Sequence, residues 1–226
     1  MGVCVPGKHY MVDISAKLTK IKEMVDYGDY FTINRARQYG KTTTLMLLEE
    51  MLKDEYTVIS ISFERFGKNS FESPAAFCRT FMTFIQRALE FTDVSDEYRK
   101  SWLNDDVSDF DELSIHITEM CRNKKLVLMI DEVDKTSHNS TNLYFLGMLR
   151  DKYLERAKNK DYTFQSVILA GVYDIKNIKL KMGASISSNL CVTLPTQNAH
   201  LQGVNSAFGL AASLDLGAFR GSHMII

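Results

Sequence analysis

The run RARQYGKTT, residues 35–43, contains the residue types that bind phosphate in a strand-loop-helix unit. It follows a short apolar segment, Tyr30 to Ile33, and leads into a predicted helix from Lys41 to about Lys53. Backbone N–H groups at the start of such a helix face an anion, and the helix dipole stabilises it. Gly40 allows the backbone to approach a phosphate closely, and the Lys41 ammonium can reach the outer phosphates of a nucleotide.

The same run matches the P-loop pattern G-x-x-x-x-G-K-[ST], except that Arg35 stands where the first glycine is expected. Without that glycine, the tight turn of the loop is less favoured. Arg35 and Arg37, in contrast, add positive charge near the phosphates. Gly-Lys-Thr alone is short, so a helix start with an exposed lysine is the alternative interpretation. The hydroxyl of Thr42 is predicted to bind Mg²⁺. The predicted nucleotide-binding residues are Arg35, Arg37, Gln38, Tyr39, Gly40, Lys41, Thr42 and Thr43.

A second chemical feature is the acidic pair Asp131 and Glu132, which follows the apolar run Leu126 to Ile130. Acids after a strand are often only the polar end of a buried element. With the upstream Lys-Thr motif, however, they form a Walker B arrangement. Asp131 is predicted to hold Mg²⁺ through its water shell, opposite Thr42, and Glu132 to orient and deprotonate an attacking water. The two motifs together predict binding of ATP or GTP with Mg²⁺, with Lys41 and Glu132 as catalytic residues.

Other polar residues near the strand ends give weaker signals. Asp134 and Lys135 are interpreted as solvated loop residues or supporting partners. Tyr173 and Asp174 follow the fourth apolar run, where related ATPases place a polar sensor, and the alternative is a turn with a packed tyrosine. A nuclease of the D…(D/E)-x-K kind is also considered, because residues 174–176 read Asp-Ile-Lys. No upstream acid completes that site.

Strands and helices alternate along the chain. Helices are predicted at 15–27, 41–53, from Ser73-Pro74 onward, at 109–122 and at 140–157, and apolar strands at 30–33, 58–63, 126–130 and 164–170. This order predicts an α/β fold with a mostly parallel sheet flanked by helices on both faces, and ligands at the carboxyl ends of the strands. The acidic stretch 92–109, with the single Trp102, is predicted to be a loop or short helix over the surface.

Composition excludes several classes of protein. A net charge of −1 argues against a uniformly basic face for nucleic acid. The four cysteines (Cys4, Cys78, Cys121, Cys191) lie far apart and suggest neither a zinc site nor a disulfide framework. No stretch approaches the ~20 apolar residues of a membrane span, and the start lacks the apolar region of a secretory signal. The sequence therefore predicts a cytoplasmic protein with no membrane partner.

Charge is unevenly distributed along the chain. The charged residues of the segment 182–226 are only Asp215 and Arg220. This charge-poor tail is rich in Gly, Ser, Ala, Asn and Leu, and we assign it no domain. A truncated or frame-shifted reading of a longer protein would explain it. We expect the tail not to pack as a fifth strand and lid.

Taken together, the motifs resemble those of the bacterial AAA-ATPase-like family, P-loop ATPases of the AAA+/STAND type. The matching segments are Tyr10 to Asp13, Thr32 to Thr43, Ile130 to Asp134 and Leu169 to Asp174, within about residues 8–181. The family also has arginine in place of the first glycine. The resemblance implies a P-loop NTPase domain over 8–181 with an inserted-strand topology, which binds ATP and Mg²⁺ and hydrolyses ATP.

The resemblance leaves the partner open: an unidentified protein or nucleic acid, with nucleotide-dependent self-association as a further possibility. ATP hydrolysis would drive conformational change for that partner. The alternative is a nucleotide-binding interaction module without significant turnover, because neither a lid domain nor an arginine finger is assignable in this sequence.

Overall fold

The computed structural model describes residues 14–34, 41–104, 106–133, 139–171 and 204–205. The helices are α1 (Ser15–Tyr27), α2 (Lys41–Leu52), α3 (Pro74–Leu89), α4 (Asp96–Ser101), α5 (Phe110–Cys121) and α6 (Ser140–Ala157). The strands are β1 (Tyr30–Asn34), β2 (Thr57–Ser62), β3 (Leu126–Asp131), β4 (Ser166–Gly171) and β5 (Val204–Asn205). Every predicted helix and strand in these ranges is confirmed, with ends that agree to within two residues.

Local signals explain where several helices begin and end. The Ser73 hydroxyl accepts a hydrogen bond from the Ala76 N–H, and Pro74 follows as the first helical residue of α3. Asp109 caps α5 in the same way. Gly28 ends α1 in a left-handed conformation, with φ of 82°.

The strands form one sheet in the order β2-β3-β4-β1-β5, and the first four are parallel. β4 is inserted between β1, which leads toward the Lys-Thr motif, and β3, which ends in the acidic pair. This confirms the predicted α/β class and the inserted-strand topology. Ser62 pairs with Asp131, and Asn34 pairs with Gly171, so the carboxyl ends of neighbouring strands meet at one edge.

Helices cover both faces of the sheet, as predicted. Along β3, Leu126, Leu128 and Ile130 pack into the apolar layer built by α3, α5 and α6. Val127 and Met129 alternate with them and pack against α1 and α2 on the other face. Since both faces are buried, β3 is apolar throughout and becomes polar only where it reaches the edge.

The prediction for Trp102 was wrong. The short helix is present as α4, but the Trp102 side chain is 0% exposed and does not lie over the surface. Its ring contacts His116 edge-on at 5.6 Å and stacks near Phe164 at 6.4 Å, both measured between centroids. An indole buries a large apolar area, and Trp102, together with Val107 of the same stretch, packs this segment onto the core.

The tail contributes two residues to the sheet. Val204 and Asn205 lie antiparallel to Ile33 and Thr32 of β1, so a short fifth strand is present where none was expected. The expectation that the tail forms no lid falls on residues outside the described ranges. Within those ranges, no helix combines the length and apolar character needed to cross a membrane.

Candidate functional site

The candidate site lies at the carboxyl edge of the sheet, where α2 begins beside the end of β3. Lys41 is the first residue of α2, and its side chain is only 8% exposed. Asp131 is the last residue of β3 and Glu132 follows it, with side chains 17% and 21% exposed. The structure thus brings the Lys41 cation together with two acids that lie 90 and 91 residues after it in the sequence.

The three charges are in direct contact. Lys41 Nζ lies 3.0 Å from Asp131 Oδ1 and donates a hydrogen bond to Glu132 Oε1 at 2.9 Å. The 2.9 Å contact falls in the range of charge-assisted hydrogen bonds, and the 3.0 Å contact in the range of ordinary N–H···O distances. We call this group the Lys41 cluster: Lys41, Asp131 and Glu132. It carries two negative charges and one positive charge.

The backbone of Glu132 adopts an uncommon conformation, with φ of 56°. Side chains other than glycine, asparagine and aspartate rarely take this left-handed conformation, which costs roughly 1–2 kcal/mol. The Glu132 N–H donates to Asp131 Oδ1 at 2.8 Å, and this bond stabilises the turn. The turn aims both carboxylates at the same ammonium.

Opposing effects act on the Lys41 ammonium. Burial lowers its pKa, but the hydrogen bond to Glu132 and the charge of Asp131 outweigh burial, so that the pKa is raised above its ordinary value. Lys41 is therefore fully charged at neutral pH and can bind an anion.

The other predicted residues are placed less completely. Thr42 and Thr43 lie in the first turn of α2, where Thr42 is exposed and Thr43 is half-buried. Among the described residues, Thr42 is not a hydrogen-bond partner of Asp131. The remaining candidates fall outside the described residues: Arg35, Arg37, Gln38, Tyr39, Gly40, Asp134, Lys135, Tyr173, Asp174 and Lys176.

The donors present fit a magnesium ion that arrives with a nucleotide better than a resident metal. Among the described residues, no group of three or more His, Cys, Asp or Glu side chains could enclose an ion. Mg²⁺ in nucleotide sites is typically held by one or two carboxylates, with phosphate and water oxygens completing its shell. Asp131, with Thr42 at the same edge of the fold, would supply that partial set.

Among the described residues, two cysteines and one histidine are buried outside the Lys41 cluster. Burial raises the pKa of the Cys78 and Cys121 thiols to about 12, and both are free. His116 is buried, its Nε2 lies 3.3 Å from the Trp102 carbonyl oxygen, and burial lowers its pKa. Cys4, Cys191, His9 and His138 lie outside the described residues.

Sequence reasoning identified the members of the Lys41 cluster but not their contact with one another. It predicted that Lys41 binds phosphate and that Glu132 orients water, as two separate roles. The alternation of strands and helices indicates that α2 and β3 meet at one edge. It contains no signal for the left-handed turn at Glu132, which places the carboxylate on the lysine.

The comparisons with known proteins support the same interpretation. A family model described as an AAA-like domain matches residues 5–187. No curated protein is similar enough to match. The matched family is of the nucleotide-binding, ATPase type. The matched segment includes every element from α1 to β4. The resemblance seen in the motifs is therefore confirmed, and the chain belongs to the AAA-like domain family.

Proposed function

We propose that this protein binds ATP with Mg²⁺ and hydrolyses it, and that the cycle drives a conformational change for an unidentified partner. The observation that carries the proposal is the Lys41 cluster at the carboxyl edge of a parallel sheet. In open α/β sheets, ligands bind beyond the carboxyl ends of the strands. A charged lysine at a helix start beside two acids matches the chemistry of a Mg-nucleotide.

Each residue of the site has a proposed role. Lys41 binds the outer phosphate oxygens. It is helped by Thr43 in the first turn of α2 and by the preceding residues Arg35, Arg37, Gln38, Tyr39 and Gly40. Asp131 and the Thr42 hydroxyl hold Mg²⁺, which neutralises charge on the phosphates. Glu132 orients a water molecule and accepts its proton. A partner protein or nucleic acid would respond to the resulting change, and self-association in one nucleotide state is a further possibility.

The lysine provides the first test. We expect Lys41→Ala to weaken Mg-ATP binding by about a hundredfold or more, because a charge-assisted contact to phosphate is lost. Isothermal titration calorimetry measures this affinity. Lys53→Ala is the matched control, because it removes an equal charge from an exposed lysine that follows the end of α2. Unchanged affinity in Lys41→Ala would contradict the proposal.

The acid provides the second test. Glu132→Gln is expected to bind Mg-ATP and to release phosphate about 10²–10⁴ times more slowly than wild type, the usual contribution of a general base. Light scattering of the same samples measures self-association in each nucleotide state. Phosphate release from the wild-type protein equal to that of buffer, despite Mg-ATP binding, would instead support a nucleotide-binding module without turnover. The observation behind this second function is that Lys41 occupies the carboxylate of Glu132 in the nucleotide-free protein, so that turnover requires this contact to open.

A further inference from the structure

The ammonium that is proposed to bind phosphate already has two anionic partners in the protein. Asp131 and Glu132 approach Lys41 Nζ at 3.0 Å and 2.9 Å, and the lysine side chain is 8% exposed. An ammonium has three N–H donors, and here two of them point at carboxylates. A phosphate oxygen must therefore compete with those carboxylates for Lys41.

The competition is unequal for nucleotide with and without a metal ion. When Lys41 turns toward a phosphate, two carboxylates lose their cation in a site that is largely shielded from water. They then face the negative charge of the phosphates at close range, where attraction and repulsion are stronger than in bulk water. A divalent cation beside Asp131 offsets this repulsion, whereas a metal-free nucleotide brings nothing that does.

We propose that Asp131 and Glu132 act as a lock on Lys41, which Mg-nucleotide opens readily and metal-free nucleotide opens poorly. The inference rests on the proposed function, because it concerns the same site, and it adds a selectivity that the bare motif does not contain. The two acids are then more than a metal ligand and a base: in the nucleotide-free protein they compete with phosphate.

The lock also links binding to readiness for chemistry. While Glu132 Oε1 accepts the Lys41 hydrogen bond, that oxygen is not available to orient water. Movement of Lys41 to a phosphate releases it. The same exchange that admits Mg-nucleotide therefore frees the proposed base.

Metal-free affinity is the quantity that tests the lock. ADP binding is measured by calorimetry in excess EDTA for the wild type, Asp131→Asn and Glu132→Gln, each first shown to be folded by its unfolding curve. We expect each variant to bind metal-free ADP about tenfold more tightly than wild type, a typical size for coupling between neighbouring groups. Glu132→Gln preserves the shape of the side chain, so it keeps the test valid if Asp131→Asn does not fold.

Glu90→Gln is the matched control. It removes one negative charge from an exposed acid at the C-terminal end of α3, outside the Lys41 cluster. We expect metal-free ADP affinity in this variant to equal that of wild type. An equal gain in all three variants would show a general effect of net charge and would overturn the lock.

The outcomes separate this inference from the proposed function. Intact Mg-ATP binding in the wild type, with metal-free ADP affinity unchanged within twofold in both cluster variants, overturns the lock alone. Mg-ATP binding that is absent from the wild type, or insensitive to Lys41→Ala, overturns the proposed function and the lock with it. A gain confined to Asp131→Asn and Glu132→Gln supports both.

Discussion

Two residues in the left-handed region, Gly28 and Glu132, show how differently backbone conformation is used in this protein. Gly28 closes α1, and its own N–H and that of Asp29 bond the Val25 and Met24 carbonyl oxygens. Glycine takes this conformation without steric cost. Glu132 takes it at a cost, at the one place where its carboxylate meets Lys41. Strain of this kind is typical of functional sites.

The sequence identifies candidate residues for the site but not their geometry. Lys41, Asp131 and Glu132 follow from residue type and from their position after strands. Their ion pairs depend on the turn at Glu132 and on the exact register of β3, and local residue patterns do not encode these. The role of Gly28 as a helix stop was predictable, because glycine after a periodic apolar run is a common C-cap signal.

Gly28→Ala is expected to lower the free energy of unfolding by about 1–2 kcal/mol, because an L side chain is disfavoured at a φ of 82°. The new Cβ would also lie 2.9 Å from Arg156 Nη2 and 3.2 Å from the Gln165 carbonyl oxygen. Arg156 cannot move aside without loss of hydrogen bonds to the Gly28, Phe164 and Gln165 carbonyl oxygens. Urea denaturation followed by Trp102 fluorescence measures the change.

Gly67→Ala is the control for that substitution. Gly67 has a φ of −63°, and the nearest atom to a new Cβ would be Ser70 Oγ at 4.0 Å. We expect no loss of stability here, because alanine adopts this conformation freely and restricts the unfolded chain. Equal losses in the two variants would show that backbone conformation at Gly28 is not the cause.

At the scale of elements, buried polar contacts fix how the helices pack on the sheet. Lys152 of α6 is 2% exposed and lies against α5 and the segment before β4. Its ammonium donates to the Ser114 carbonyl oxygen at 2.8 Å, to Thr118 Oγ1 at 2.7 Å and to Asp161 Oδ2 at 2.7 Å. Apolar periodicity predicted α5 and α6, but it gave no sign that a lysine on the buried face joins them.

Lys152→Met is expected to lower the free energy of unfolding by about 3 kcal/mol or more, since removal of one partner leaves a largely buried acid unpaired. Lys158→Met is the matched control. It removes a lysine that is 57% exposed and pairs with Glu155 within one helical turn, which is typically worth less than about 0.5 kcal/mol. Denaturant unfolding compares both with wild type. A small loss in Lys152→Met would show that the contact between α5 and α6 does not depend on this ion pair.

The contact between α5 and Trp102 predicts a pH dependence. Burial lowers the pKa of His116, so below about pH 6.5, the ordinary value, the unfolded chain takes up a proton that the folded protein does not. Stability should therefore fall as the pH decreases from 7.5 to 5.5, by about 1 kcal/mol, and should not change through this group at higher pH. In His116→Gln, this part of the pH dependence should disappear. An identical pH profile in the variant would mean that other groups cause the loss.

At the scale of the whole molecule, the alternation of strands and helices is sufficient to predict the α/β class, but not the strand order. Placement of β4 between β1 and β3 came from the family resemblance, since periodicity does not distinguish neighbours in a sheet. For a related reason, the burial of Trp102 and the presence of β5 were not predicted. Each depends on contacts with distant residues, which a local pattern of polar residues does not reveal.

The drop in the number of charged residues after residue 181 lies close to the ends of the apolar core and of the family match. The residues of both apolar layers lie between Leu18 and Ala170, and the family match ends at residue 187. Within the described residues, the tail adds only the backbone pairing of β5 with β1. We therefore expect the nucleotide-binding unit to be complete without the tail.

A chain that ends at residue 187 tests this expectation. It retains α1 to α6 and β1 to β4, so its free energy of unfolding should stay within about 1 kcal/mol of the full chain, the range of changes that leave the core intact. Its affinity for Mg-ATP should be unchanged, because the Lys41 cluster is built from the start of α2 and the end of β3, and the shortened chain keeps both. Trp102 fluorescence and calorimetry measure the two quantities. Loss of binding in the shortened chain, while Lys41→Ala in the full chain also loses it, would mean that the tail is part of the nucleotide site.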